Sequence, residues 1–268
     1  MLRHLAAMGT VRETGPDTFA PTPFSNTFAE EAYRDANLFI EDDFQPVHVG
    51  LPGFFKDNGY KLPTTGVDSP FQHTYNCKGQ HMFEYFQSSA PMMGKRFASM
   101  MDAWSKGRPR WFQEDYYPVK ERLLEGAKSG DGEAFLVDVG GGSGHDIDGL
   151  SEHFSDAISS KLVLQDRPEI VEIAKIGPKI EKQAHDFMTE QPVKGSVLCL
   201  SCLNHSLTAA PGARAYYMHS IIQDWNDEVN TQILKALVPA MTKGYSKILV
   251  NDFVLPDQNA VWPQSEYH

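Results

Sequence analysis

Three cysteines, Cys77, Cys199 and Cys202, are all that this 268-residue chain holds. They are too few and too unevenly placed for a disulfide framework. Positive charge is scarce as well: 24 lysines and arginines stand against 35 acidic side chains, a net charge of −11. A protein that grips nucleic acid through its phosphates needs a basic stripe, so this balance argues against that partner. No uncharged apolar run approaches the ~18 residues of a membrane-spanning helix. The opening MLRHLAAMGTVRETG lacks the apolar core and cleavage site of a secretory signal. Neither an HExxH spacing nor a repeat occurs. Cys199, Cys202 and His205 look like half a zinc site, but a structural site needs four ligands and no second pair lies nearby. With 41% hydrophobic and 22% charged residues, the composition is that of an ordinary globular protein. The expectation is a soluble, acidic, cytoplasmic chain with one large or two modest domains, and no metal, nucleic acid or membrane partner.

Leu2, Leu5, Ala6 and Met8 form a short apolar face that Gly9 can stop. VRETGPDTFAPT then reads as two short strands around a Gly-Pro-Asp turn. Residues 24–75 suggest short helices and loops, whereas 79–104 and 112–128 carry apolar positions at helical spacing. The aromatic residues concentrated there read as core or interface. From about 133 strands alternate with helices: Ala134–Val139, Lys161–Gln165, Ile180–His185, Ala213–Met218 and Lys247–Asn251, with helices from Pro168 and over Glu228–Met241. That rhythm predicts parallel pairing in an open α/β sheet. Residues 196–212, SVLCLSCLNHSLTAAPG, hold no charge and interrupt it where a short connection is usual.

The strongest local signal is Val137-Asp138-Val139-Gly140-Gly141-Gly142-Ser143-Gly144, a strand end running into a glycine turn and a helix. Glycines let a ligand approach the backbone, and the helix start presents free N–H groups. Asp138 narrows the ligand. A carboxylate beside the pyrophosphate of a dinucleotide is unhelpful, but it suits the ammonium and sulfonium of S-adenosylmethionine. Asp166 closes the second strand, where an acid can take both ribose hydroxyls. Asp186, after the third, can hold the adenine side. Acids at three successive strand ends fit a cationic nucleoside better than a phosphorylated one. A nicotinamide-dependent oxidoreductase is the weaker alternative. Gly141-Gly142-Ser143-Gly144-His145 is not a nucleophile elbow, because that motif needs glycine where His145 stands.

LVDVGGGSGHD, LQDRPEIV, AHDFMTEQP, ARAYYMHSIIQDWNDE and KILVNDFVLPD follow one another in the order of a known family. The chain resembles the plant-type and fungal S-adenosylmethionine-dependent O-methyltransferases of the caffeate and flavonoid type. Its wording is nearest to fungal members that methylate phenolic, often polyketide-derived, hydroxyls in secondary metabolism. MLRHLAAMG, VRETGPDTFAPTPFS and GQHMFEYF resemble the end of the family's winged-helix dimerisation region and its helical linker. The resemblance implies a Rossmann-like α/β methyltransferase sheet over 116–268, incomplete at its C-terminal edge. A mostly helical winged-helix remnant over 1–115 would precede it. It also implies a homodimer for the full-length family, doubtful for this chain, which looks shortened at both ends. Gly140 and Gly141 would lie under the methionine portion, Asp166 on the ribose, Asp186 and Phe187 on the adenosine, and His219 at a basic cofactor contact. The family's general base is the histidine of an HDW motif, and here that position is Gln223, in Gln223-Asp224-Trp225. An amide cannot take a proton from a phenol. The chain is therefore expected to be a methyltransferase by lineage and a poor catalyst as written, or a relative that binds cofactor or a partner without turnover. The uncharged stretch 196–212 looks like translated intron, with a true loop insertion as the alternative.

Overall fold

The Gly-Pro-Asp turn does make a hairpin. After helix α1 (Leu2–Ala7), strands β1 (Val11–Gly15) and β2 (Thr18–Pro21) pair antiparallel, with Arg12 opposite Ala20 and Asp17 at φ 54° in the turn. The computed structural model describes residues 1–106, 108–129, 132–194, 212–254 and 256–259. Nearly all of the 196–212 stretch, with Cys199, Cys202 and His205, thus lies outside the described residues. The chain divides into two units, Met1–Gly107 and Arg108–His268. Trp111 and Phe112 are buried in the core of the second, a few residues before the boundary expected at 115/116.

In the first unit six helices follow the hairpin: α2 (Pro23–Thr27), α3 (Glu31–Leu38), α4 (Gln45–Asp57), α5 (Pro70–Tyr75), α6 (Met82–Ser88) and α7 (Pro91–Ser105). A capping box at Ser69 and Gln72 starts α5, and a π-helical segment, Phe39–Phe44, joins α3 to α4. The dense aromatics are core: Phe39, Phe71 and Phe86 are buried together with Val47 and Met93. No described helix is long and apolar enough to cross a membrane.

The second unit is built on a five-stranded sheet, β3 (Ala134–Val139), β4 (Lys161–Asp166), β5 (Ile180–Ala184), β6 (Ala215–His219) and β7 (Lys247–Asn251). Its order is β5-β4-β3-β6-β7 and every pair is parallel. β3 is buried along its whole length, Asp138 included, as a strand between two covered faces should be. Side chains alternate across the sheet. Leu136 and Tyr217 pack with Ile147 and Leu150 of helix α8 (His145–His153), whereas Val137, Tyr216 and Met218 pack with Ile233 and Leu237 of α10 (Asp227–Leu237). Between them in sequence, α9 (Pro168–Ile173) opens on its proline as expected.

Two expectations need correction. The helical spacing over 112–128 yields only a π-helical turn, Lys120–Leu124. Pro118 bars extension at the amino end and Gly126, at φ 72°, closes the other, while Val119 and Leu123 are buried against the sheet. The helix expected over Glu228–Met241 ends at Leu237 and tightens into a 3-10 turn, Val238–Ala240, because Pro239 cannot donate to the α ladder.

Candidate functional site

Strand order reverses between β3 and β6, and an open α/β sheet places its ligands outside the carboxyl ends of the strands at such a point. The glycine turn sits there. Gly140, Gly142 and Gly144 have φ of +70°, +58° and +84°, a region that L side chains rarely adopt. A Cβ on Gly140 would stand 2.6 Å from Ile221 Cδ1 and 3.5 Å from Phe187 Cε1. On Gly141 it would stand 2.5 Å from both Asp138 Cγ and Leu164 Cδ1, but on Gly142 it would meet only open space. Gly140 and Gly141 also donate their N–H groups to the Gln165 carbonyl, at 2.8 and 3.1 Å, which ties the turn to β4. The result is a backbone cradle that is braced from below and open above.

Asp166, at the end of β4, accepts from Gly142 N (2.8 Å) and from Arg167 N (2.7 Å). Its carboxyl is pushed up by burial against the opposing effect of those two N–H groups. Asp138 lies beneath Gly141, 1% exposed, and its oxygens reach no hydrogen-bond partner of good geometry among the described residues. Burial pushes its carboxyl well up, reinforced by Asp146 and Asp166, with a smaller opposing effect from the Ile147 N–H. Phe187, next to Gly140, also meets Trp225 edge-on at 6.1 Å between ring centroids. Phe187, Ile221 and Trp225 thus form an apolar wall beside the turn. Asp186 is exposed, and its side chain accepts from Met188 N at 2.9 Å in a local turn.

The structure brings together Gly140, Gly141, Asp166 and Phe187. His219 stands at the end of β6 in a cluster that the sequence did not disclose. Its Nδ1 is 2.6 Å from Asp146 Oδ2, an oxygen that also accepts from the Tyr217 hydroxyl at 2.9 Å. Asn251 Nδ2 donates to that hydroxyl at 2.9 Å, and Trp111 stacks on the Tyr217 ring at 4.6 Å. Arg110 Nη1 and His145 Nε2 lie 3.8 and 3.7 Å from Asp146 Oδ1. One signal could have paired Tyr217 with His219, though not with Asp146. Period-2 alternation puts Tyr217 and His219 on one face of β6, the face that α8 covers with Asp146 in its first turn.

Gln223 lies in the 3-10 turn Ile222–Asp224 after β6. Its Oε1 accepts from Phe253 N at 3.3 Å, and its own N–H donates to Asp252 Oδ2 at 3.1 Å. The side chain at the expected base position is therefore held by backbone, and it offers no proton-accepting group.

These features define an open α/β domain with an acid at the second strand end and a glycine cradle at the first. The chain belongs to the O-methyltransferase family: the model of the O-methyltransferase domain matches residues 63–267. It is 37% identical over 264 residues to the O-methyltransferase mpaG of Penicillium brevicompactum, a match covering 97% of this chain and 61% of that protein. It is 35% identical over 260 residues to the O-methyltransferase asqD of Emericella nidulans, covering 96% and 61%. The chain thus spans about 60% of the length of the curated relatives it matches. Among solved structures, LepI in complex with SAM matches with a TM-score of 0.81 and 25% identity, covering 99% of this chain and 62% of that one. A chain described as a pericyclic reaction enzyme matches with the same TM-score of 0.81 and 25% identity, covering 99% and 63%.

Proposed function

We propose that this polypeptide binds S-adenosylmethionine at the carboxyl ends of β3, β4 and β5. We further propose that the protein it represents transfers a methyl group to a phenolic or polyketide-type hydroxyl in fungal secondary metabolism. The observation that carries the reading is the cradle. Three successive glycines bring bare backbone to the sheet's switch point, Phe187 and Ile221 wall one side, and Asp166 waits at the next strand end. The buried, poorly partnered carboxyl of Asp138 fits a cationic ligand above it better than a pyrophosphate. When bound, the cofactor supplies an electrophilic methyl group. Gly140 and Gly141 would then lie under its methionine portion, Asp166 would hold the ribose hydroxyls, Asp186 and Phe187 the adenine, and His219 would make the basic contact. A second copy of the chain is the partner we assign to the helical unit in the full-length protein.

The remaining step is removal of the acceptor's proton. A phenol has a pKa of ~10, so attack at neutral pH needs a base as the oxygen–carbon bond forms. Gln223 cannot serve, and its carbonyl oxygen already accepts from Phe253 N. That observation favours a second reading: the polypeptide binds cofactor without methyl transfer. A pericyclic reaction, the chemistry named for one structural neighbour, removes no proton from an acceptor.

Calorimetry of the purified chain with S-adenosylmethionine, S-adenosylhomocysteine and NAD separates these readings from the oxidoreductase. Binding of either methionine nucleoside that is lost in Asp166→Ala is the expected result. NAD binding with no response to the other two would sink the assignment. A methyl-transfer assay on a panel of phenols then decides between catalyst and binder.

A further inference from the structure

Apart from His219, the cluster around Asp146 has no role in the reading above. Its carboxylate is 6% exposed and faces groups from three elements: Tyr217 and His219 on β6, His145 beside it on α8, and Arg110 in the segment preceding β3. Burial opposes its ionisation, yet the hydrogen bond from His219, the charges of His145 and His219 and the Tyr217 hydroxyl hold its carboxyl below the usual range. Tyr217 is pushed strongly upward by burial and by Asp146, so it stays protonated and donates. A carboxylate oxygen that accepts from Tyr217 at 2.9 Å and faces an imidazole nitrogen at 2.6 Å calls for a proton on that nitrogen.

We propose that Asp146 is a positioning residue: it fixes the ring of His219 with the proton on Nδ1, so that Nε2 is the nitrogen presented to the cofactor. The side chain of His219 keeps 32% of its surface exposed, which leaves that nitrogen reachable. The proposal rests on the cofactor reading above. His145, Asp146 and His219 have donor atoms within 4.8 Å of one another, the makeup of a metal triad. The Arg110 guanidinium 3.8 Å from the carboxylate and the Tyr217 hydroxyl upon it favour a proton-holding role over a cation site.

The test uses the full chain, labelled with nitrogen-15 at histidine, with His219→Asn to assign the ring. The wild type should show the proton on Nδ1 of the His219 ring, and Asp146→Asn should shift that tautomer population. The same variant should bind S-adenosylhomocysteine about tenfold more weakly, the scale of one charge-assisted hydrogen bond. Tyr217→Phe removes the other hydrogen bond to the carboxylate and serves as the structural control. It should lower the melting temperature and keep the proton on His219 Nδ1, with a smaller loss of affinity than Asp146→Asn. An unchanged ring spectrum in Asp146→Asn, or equal losses in both variants, overturns the role of Asp146. Zinc at stoichiometric concentration that moves both the His145 and His219 signals overturns it in favour of a metal site. A wild type that binds no S-adenosylhomocysteine refutes the cofactor reading and with it the ligand half of the proposal, whatever the ring spectrum shows.

Discussion

Arg214 is 8% exposed and spends its guanidinium on main chain. Nε donates to the Leu123 carbonyl at 3.0 Å and Nη1 to that of Tyr245 at 2.8 Å, while Nη2 reaches those of Arg122 and Glu125 at 3.2 and 2.8 Å. The Tyr245 ring covers the cation at 5.0 Å. One side chain at the head of β6 thereby satisfies the carbonyls left over where the π-helical turn Lys120–Leu124 ends. Replacing it by methionine keeps most of the stem packing and strips four carbonyls of their donor. Each buried carbonyl left unpaired costs about 1–3 kcal/mol. Three of the four bonds are only part-buried, so water can replace the guanidinium there, and the variant escapes the cost of burying a cation; the net loss is about 3 kcal/mol. For a unit of this size that lowers the melting temperature by about 6–12 °C. Arg214→Lys should fall between, because one ammonium cannot span the four acceptors that a planar fork can. Thermal unfolding followed by circular dichroism reads both variants. A methionine variant within about 2 °C of wild type would show that the four hydrogen bonds are not holding the turn to the sheet.

Three further outcomes follow from the site. On phenolic acceptors the wild-type chain should turn over well below about 1 per second, since a positioned base typically contributes ~10²–10⁴ and Gln223 supplies none; turnover at that rate would mean another group takes the proton. Asp138 has a raised carboxyl in the folded state, so its contribution to stability is fully present below the unfolded value of about 3.9 and fades as pH rises through the folded value. Asp138→Asn cannot ionise and should therefore gain on wild type in urea melts between pH 4 and pH 8; a pH-independent difference would contradict the upward shift. Gly141→Ala drives a methyl into Asp138 and Leu164 and should cost about 1–3 kcal/mol and the binding of S-adenosylhomocysteine. Gly142→Ala meets open space and bears only its left-handed backbone, about 1–2 kcal/mol, so a larger stability loss in Gly142→Ala than in Gly141→Ala would refute the steric account.

How much of this was legible depended on whether a residue's partners lie close in sequence. Ala134–Val139 and Lys247–Asn251 have the observed bounds of β3 and β7, because apolar runs closed by glycine or polar residues carry their own boundaries. The hairpin was legible for the same reason: Gly15, Pro16 and Asp17 encode its turn locally. β6 begins at Ala215 instead of Ala213, since its ladders with β3 and β7 both start there, opposite Leu136 and Lys247. No local pattern announces that. The apolar spacing over 112–128 was real but served the sheet, for burial of Val119 and Leu123 satisfies a hydrophobic period without a helix. The site divides along the same line. Its glycines and Asp166 stand at strand ends and could be read from strand–turn–helix grammar. Asp146 could not: an acid in the first turn of a helix is ordinary helix chemistry. Only the parallel register that sets Tyr217 beside Asp138, and α8 across that face, turns it into the acceptor on which Tyr217 and His219 converge.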